Sequence, residues 1–141
     1  MPDSQTTGRL LCFDFGLRSI GVATGQAATG TASPLAEVAA RDGIPRWDLV
    51  DAHLQEWQPK KLLVGLPLNM DGSESQLSAL ARKFGRRLEG RYGLPVDMVD
   101  ERLSSRSAKE EAKQMGHSGD YRDRPIDSLA ACLILEQYLN E

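Results

Sequence analysis

The chain has 141 residues, the length of one ordinary domain, and a chain of that size buries about two-thirds of its unfolded surface without a disulfide or metal staple. With 40% hydrophobic residues, 26% charged residues and a net charge of −3, it is neither a disordered chain nor a globally basic one, so any surface for nucleic acid must be local. The two cysteines lack metal-ligand spacing and read as buried thiols of a reducing compartment; with no apolar leader or membrane-length run, the expectation is a soluble cytoplasmic protein that makes no membrane contact.

Residues 1–9 read as a disordered polar tail, followed by a single domain over 10–141. Leu10-Leu11-Cys12-Phe13, ending in Asp14-Phe15-Gly16, is a compact apolar run that predicts a buried strand. Ile20–Thr24 predicts a second strand close enough to form a hairpin with the first, and Ser33–Ala39 a third. From Pro45 the pattern turns helical, with Trp47, Val50, Leu54 and Trp57 on one stripe and Pro59 ending it. Lys61–Gly65 has the continuous apolar character of a central strand and runs into a dense set of turn residues, Pro67–Gly72.

Ser73 with Gln76 offers a capping box for the next helix, whose apolar stripe is Leu77, Leu80, Ala81, Phe84 and Leu88. Pro95–Val99 predicts another strand, closed by Asp100-Glu101-Arg102. A short helix over Ser105–Met115, stopped by Gly116, leads to a polar loop, His117–Arg124. Pro125 suits the first turn of a last helix reaching about Asn140. This order predicts an α/β fold: a mixed five-stranded sheet, made of a three-stranded antiparallel meander plus parallel strands joined by crossover helices.

Acids stand out at three places. Leu10, Cys12 and Asp14 share one strand face, so a carboxylate ends an apolar row, and burying it calls for a cation, a set of donors or a metal. Exposure at the strand end is the plain alternative, although Gly16 would let a ligand backbone approach closely. Asp100 and Glu101 are neighbours on a strand and point to opposite faces, so at most one converges easily with Asp14; an ion pair with Arg102 is the plain alternative. Asp127 shares a helix row with Ala131, Ile134 and Tyr138, or else simply favours the positive end of the helix dipole.

Acids at two strand ends and a helix start form the layout that holds Mg²⁺ or Mn²⁺ through oxygen, and with only His53 and His117 present the composition suits such a site better than a zinc site. No nucleophile elbow or Walker motif occurs, so serine-hydrolase and P-loop readings fail. The 75–92 stretch adds a local basic surface, with Arg82, Lys83 and Arg86 opposite its apolar stripe and Arg87 and Arg91 flanking it. Together with Arg18 and Arg102 near the acids, this face is suited to phosphate contacts, the alternative being an ordinary solvated helix face.

The stretches LLCFDFGLRSIGVATG, VGLPLNMDGSESQ, VDERLSSRSA and IDSLAA, in that order, resemble the YqgF/RuvX family of pre-16S ribosomal RNA nucleases, also described as Holliday-junction-resolvase-like. The resemblance covers Leu10 to Tyr138 and implies an RNase H-like fold and metal-dependent phosphodiester hydrolysis in the cytoplasm. It further implies that Asp14, Glu101 and Asp127 hold one or two Mg²⁺ or Mn²⁺ ions, with Asp100 as a fourth catalytic acid. Arg18, Asn69, Arg82, Lys83, Arg86 and Arg102 are then the residues expected to meet nucleic acid.

One departure is visible. Where the resolvase relatives carry a second acid at the end of the central strand, this chain has Val64-Gly65-Leu66-Pro67 and takes the acid from the following strand. The expected substrate is the 5′ end of precursor 16S ribosomal RNA, handled by a monomer or weak homodimer. The alternatives are a resolvase acting on branched DNA, for which a symmetric dimer is expected, and a non-catalytic RNA-binding factor on the same fold. An ATPase of the sugar-kinase and actin type, whose first strand has a similar Asp-x-Gly turn, would need a second domain.

Overall fold

The computed structural model describes residues 8–101 and 126–140. Its elements in chain order are β1 (Arg9–Asp14), β2 (Ser19–Gln26), β3 (Thr31–Arg41), β4 (Ile44–Pro45), α1 (Trp47–Trp57), β5 (Lys61–Leu66), α2 (Gln76–Tyr92), β6 (Val96–Asp100) and α3 (Ile126–Leu139). They build one mixed sheet in the order β4-β3-β2-β1-β5-β6. β1 through β4 form the antiparallel part, and β5 and β6 join β1 in parallel register.

The sheet therefore has six strands and not the expected five. The additional strand is only Ile44–Pro45, folded back onto Ala40 and Arg41 by Asp42 and Gly43, which adopt φ of 52° and 82°. Two successive positive φ values define the tight hairpin turn that Asp-Gly favours. β3 also runs longer than expected at both ends. The tail boundary shifts as well: Arg9 belongs to β1, where its guanidinium lies 4.8 Å from the Trp57 ring and Nη1 donates to Thr24 Oγ1 at 3.3 Å. The expected helix over 105–115 and the loop over 117–124 lie outside the described residues.

The two faces of the sheet are packed differently. On one, α1 and α2 cover a core in which Phe13, Phe15 and Trp47 all approach Phe84, with ring centroids 5.6, 5.6 and 6.1 Å away. On the other, α3 lies through Ala131, Ile134 and Leu135 over Leu63 and the smaller side chains of Cys12 and Ala23. Small residues in the strands let the helix sit close, and both cysteines are buried and unpaired, as expected.

α2 begins at Ser75 and not at Ser73. Ser75 and Ser78 exchange side-chain and backbone hydrogen bonds as a capping box. Ser73 is already engaged, since its N–H and hydroxyl both donate to Asp71 Oδ1, at 2.8 and 2.6 Å. Leu80, assigned to the apolar stripe, is exposed; Gly85 takes the inward position and lies against Met98 and Val96.

Candidate active site

Parallel pairing sets the site. Asp14, the last residue of β1, is flanked in register by Gly21 of β2 and Gly65 of β5. It shares the α3 face with Cys12, because side chains alternate along a strand. On β6 the same face carries Asp97 and Val99, and Glu101 continues that alternation just past the strand end. Its N–H donates to Leu66 O at 3.4 Å, which prolongs the β5–β6 ladder by one more bond.

Gly65 is where the two acids come together. A Cβ built on it would lie 2.6 Å from Glu101 Oε2, 3.5 Å from Glu101 Cβ and 3.0 Å from Ile134 Cδ1. The Glu101 side chain thus folds back over the residue that pairs with Asp14. Its Oε2 is buried and has no hydrogen-bond partner among the described residues. Leaving a buried carboxylate oxygen without donors is costly, and a hard cation that takes oxygen ligands is one group that would satisfy it. The residues present fit a divalent cation on that ground. The negative charges are felt locally: burial, then Asp14, Cys132 and Glu101 in that order, push the Cys12 thiol well above its ordinary range.

Asp100 lies on the opposite side of the strand from Glu101 and is exposed. Asp127 occupies the second position of α3, heading the row of Ala131 and Ile134 that packs on the sheet; its side chain lies outside the described residues. Among the described residues no group of three His, Cys, Asp or Glu side chains converges, so Asp14 and Glu101 stand there as a pair.

A residue the sequence reading passed over fixes the start of α3. Ser128, fully buried, accepts from Val22 N at 3.2 Å and donates to Leu35 O at 2.7 Å. The β2–β3 register shifts between Ile20 and Val22, so the hydroxyl serves groups that the irregular ladder exposes. Val22 adjoins Gly21, the partner of Asp14, so this clamp brings the first turn of α3 to the acid end of the sheet. A serine beside an acid at a helix start suggests only a cap; the long-range bond has no sequence signature.

The remaining expected residues fare differently. Gly16 is required by the chain itself, since a Cβ there would meet Ser19 O at 2.4 Å, so its freedom serves the turn after β1 rather than a ligand. Arg18 is exposed on that turn. Arg82 is engaged by Glu74, with its Nη2 2.7 Å from Oε2, whereas Lys83 and Arg86 are exposed. Asn69 donates to Ser73 Oγ at 3.0 Å within its loop, and Arg102 lies outside the described residues.

A mixed sheet in which an antiparallel meander continues into two parallel strands, with a pair of carboxylates at the end of its central strand, has the RNase H-like architecture; the family it matches and the name of its relatives make it a nuclease, a hydrolase of phosphodiester bonds. A family model described as "RuvX: Holliday junction resolvase" matches residues 8–141, and the chain belongs to that family. Proteins named "Putative pre-16S rRNA nuclease" from Saccharophagus degradans and Chromohalobacter salexigens are 53% and 57% identical to it; the alignments cover 95% and 92% of this chain and 94% and 87% of theirs. One from Marinobacter nauticus is 55% identical over 100% of this chain and 98% of its own. Among solved structures, Thermus thermophilus RuvC in complex with a Holliday junction substrate matches with a TM-score of 0.57 at 16% identity over 93% of each chain. The yeast mitochondrial resolvase Ydc2 matches with a TM-score of 0.53 at 8% identity, covering 98% of this chain and 80% of that one. At such identities the likeness is one of fold. No helix among the described residues is long and apolar enough to cross a membrane.

Proposed function

We propose that this chain is a cytoplasmic nuclease that processes the 5′ end of precursor 16S ribosomal RNA, working as a single domain that runs from β1 through α3. The name carried by its relatives supports the substrate. The observation that carries the chemistry is the buried Glu101 Oε2, unpartnered among the described residues and folded over Gly65 beside Asp14.

In this reading Asp14, Glu101 and Asp127 hold Mg²⁺ or Mn²⁺, one or two ions, which when bound supply an activated water and neutralise charge on the leaving oxygen. The chain's own residues provide the frame. Asp14 is immobilised between two ladders, Glu101 is laid over a glycine, and Ser128 ties the helix start that carries Asp127 to β2. Asp100 positions its neighbours from the other side of the strand and does not ligate. Arg18, on the turn that follows Asp14 and β1, and Arg102 neutralise the phosphate being cut, while Lys83 and Arg86 hold the backbone further along. Arg82 contributes less because Glu74 occupies it, and Asn69 acts through the loop it braces.

The test offers the full chain a 5′-extended 16S precursor and a four-way DNA junction, with Mg²⁺ or Mn²⁺ and with chelator, alongside a mass measurement in solution. Metal-dependent cutting of the RNA by a monomer or weak dimer is expected. Symmetric nicking of the junction by a stable dimer would favour a resolvase instead. Binding of RNA without cleavage under any metal condition would make the protein a non-catalytic binding factor.

A further inference from the structure

Gly65 has no local reason to be glycine. Its φ is not positive, it lies within a central strand, and glycine there costs stability relative to a residue with a side chain. The atoms that a Cβ would meet most closely are the Glu101 carboxylate at 2.6 Å and the Ile134 δ-methyl at 3.0 Å, both ends of flexible side chains and neither of them backbone. The fold could therefore accept alanine by moving two side-chain ends. The Glu101 carboxylate could not then remain where it is.

Register adds the second half. Gly65 pairs with Asp14 on one side and with Val99 on the other, and Glu101 follows Val99 on the same face. A residue at 65 thus occupies the one backbone position between Asp14 and the strand that supplies Glu101. Seen from Asp14, an acid attached at 65 and an acid reaching back from 101 would fill the same space. They are mutually exclusive occupants.

We propose that Gly65 is a positioning residue: by lacking a side chain it vacates the end of β5 so that Glu101 of the neighbouring strand can lay its carboxylate beside Asp14, and the residue at 65 decides which strand supplies the second acid. The proposal rests on the reading of Asp14 and Glu101 as cation ligands. Two consequences separate it from a packing role. Alanine at 65 displaces the Glu101 carboxylate and otherwise asks only the δ-methyl of buried Ile134 to give by a few tenths of an ångström, and an acid placed at 65 substitutes for Glu101 once that residue is truncated.

The test measures Mn²⁺ binding by calorimetry and the Mn²⁺-induced rise in melting temperature, on the full chain and four variants, with RNA cleavage as a third readout. Gly65→Ala should melt, without metal, at or above the wild-type temperature. It should bind Mn²⁺ about 10–100-fold more weakly, the range seen when a residue that orients a ligand is changed. Gly65→Glu combined with Glu101→Ala should recover Mn²⁺ binding relative to Glu101→Ala alone. Glu101→Gln separates the two levels of the argument. If it binds Mn²⁺ like wild type, the cation site itself is misassigned; if it loses Mn²⁺ while Gly65→Ala keeps it, only the role of Gly65 fails. Loss of cooperative melting by metal-free Gly65→Ala would overturn the proposal too, by showing that the glycine serves packing. So would a double variant that binds no better than Glu101→Ala.

Discussion

Asp97 and Glu101 follow the same face of one strand and meet the same helix, yet their surroundings differ. Asp97 accepts from Lys61 Nζ at 2.6 Å and from Tyr138 Oη at 3.0 Å, and Tyr138 also receives Lys61 at 2.7 Å. The lysine and then the tyrosine hold the Asp97 carboxyl below its ordinary range, against the opposing effect of partial burial. That acid has both a cation and a hydroxyl of the chain on its Oδ2. Glu101, at the other end of the strand, has a carboxylate oxygen buried among Gly65 and Ile134 with no donor among the described residues. One acid is accounted for by folding and the other is not, which is the ground for proposing the site at the Asp14 end. The difference lies in the neighbouring strand: β5 begins with a lysine beside Asp97 and has a glycine, Gly65, beneath Glu101 one residue before its end.

The sharpest way to break this contrast is to neutralise the acids in turn. Asp14→Asn should lower metal-dependent cleavage by about a thousandfold, several kcal/mol of lost charge stabilisation. Its melting temperature without metal should hold or rise, because repulsion with Glu101 is relieved. Full cleavage by this variant, in a single-turnover assay, would remove Asp14 from the chemistry.

Next in size is the clamp that carries α3 to the acid end. Ser128→Ala leaves Val22 N and Leu35 O without their buried partner. It should cost about 1–3 kcal/mol in denaturant unfolding and lower Mn²⁺ affinity along with stability. An unchanged midpoint would mean that the ladder irregularity in β2 is satisfied some other way.

A smaller effect is expected on the basic face of α2. Replacing Arg82, Lys83 and Arg86 by Ser should flatten the salt dependence of RNA binding without altering the cleavage step. Each lost phosphate contact changes the logarithmic slope by about 0.7–0.9. Because Arg82 is already paired with Glu74, the change should correspond to nearer two contacts than three, measured by RNA titration across a salt series.

The smallest belongs to the satisfied acid. Asp97→Asn should reduce stability at neutral pH by under about 1 kcal/mol, as befits a pair partly open to solvent. Since the folded carboxyl titrates below its ordinary value of 3.8, the contribution is complete above that value and fades as pH falls through the lower folded one. Wild type and Asp97→Asn should therefore converge in urea midpoint at acid pH. Lys61 titrates above 10.5, so its share persists through neutral pH and is lost only in strong alkali.

Much of the frame was legible in the residues. Apolar runs such as Leu10–Phe13 and Lys61–Gly65 could hardly be anything but buried strands, and the Trp47/Val50/Leu54/Trp57 stripe marked α1 to within a turn. The missed strand β4 was also readable, since Asp42-Gly43 is a strong tight-hairpin dipeptide; it was obscured because only Ile44, Pro45 and Arg46 follow before Trp47 starts a helix. Alternation told that Asp100 and Glu101 must part company, but not which one joins Asp14. That depends on the register of β6 against β5 and on the space above Gly65, both long-range facts. The same is true of Ser128, whose partners Val22 and Leu35 are distant in the chain, and of Arg82, whose charge is visible in the sequence while its engagement by Glu74 across the loop is not.

The central claim is that Glu101, and not Asp100, completes the acid pair with Asp14. The most direct measurement is Mn²⁺-dependent RNA cleavage by Glu101→Gln and Asp100→Asn side by side, with Mn²⁺ binding recorded on the same preparations. Glu101→Gln should lose both cleavage and the tight Mn²⁺ site, while Asp100→Asn keeps the site and a measurable fraction of the activity. Retention of both by Glu101→Gln, with their loss in Asp100→Asn, would contradict it.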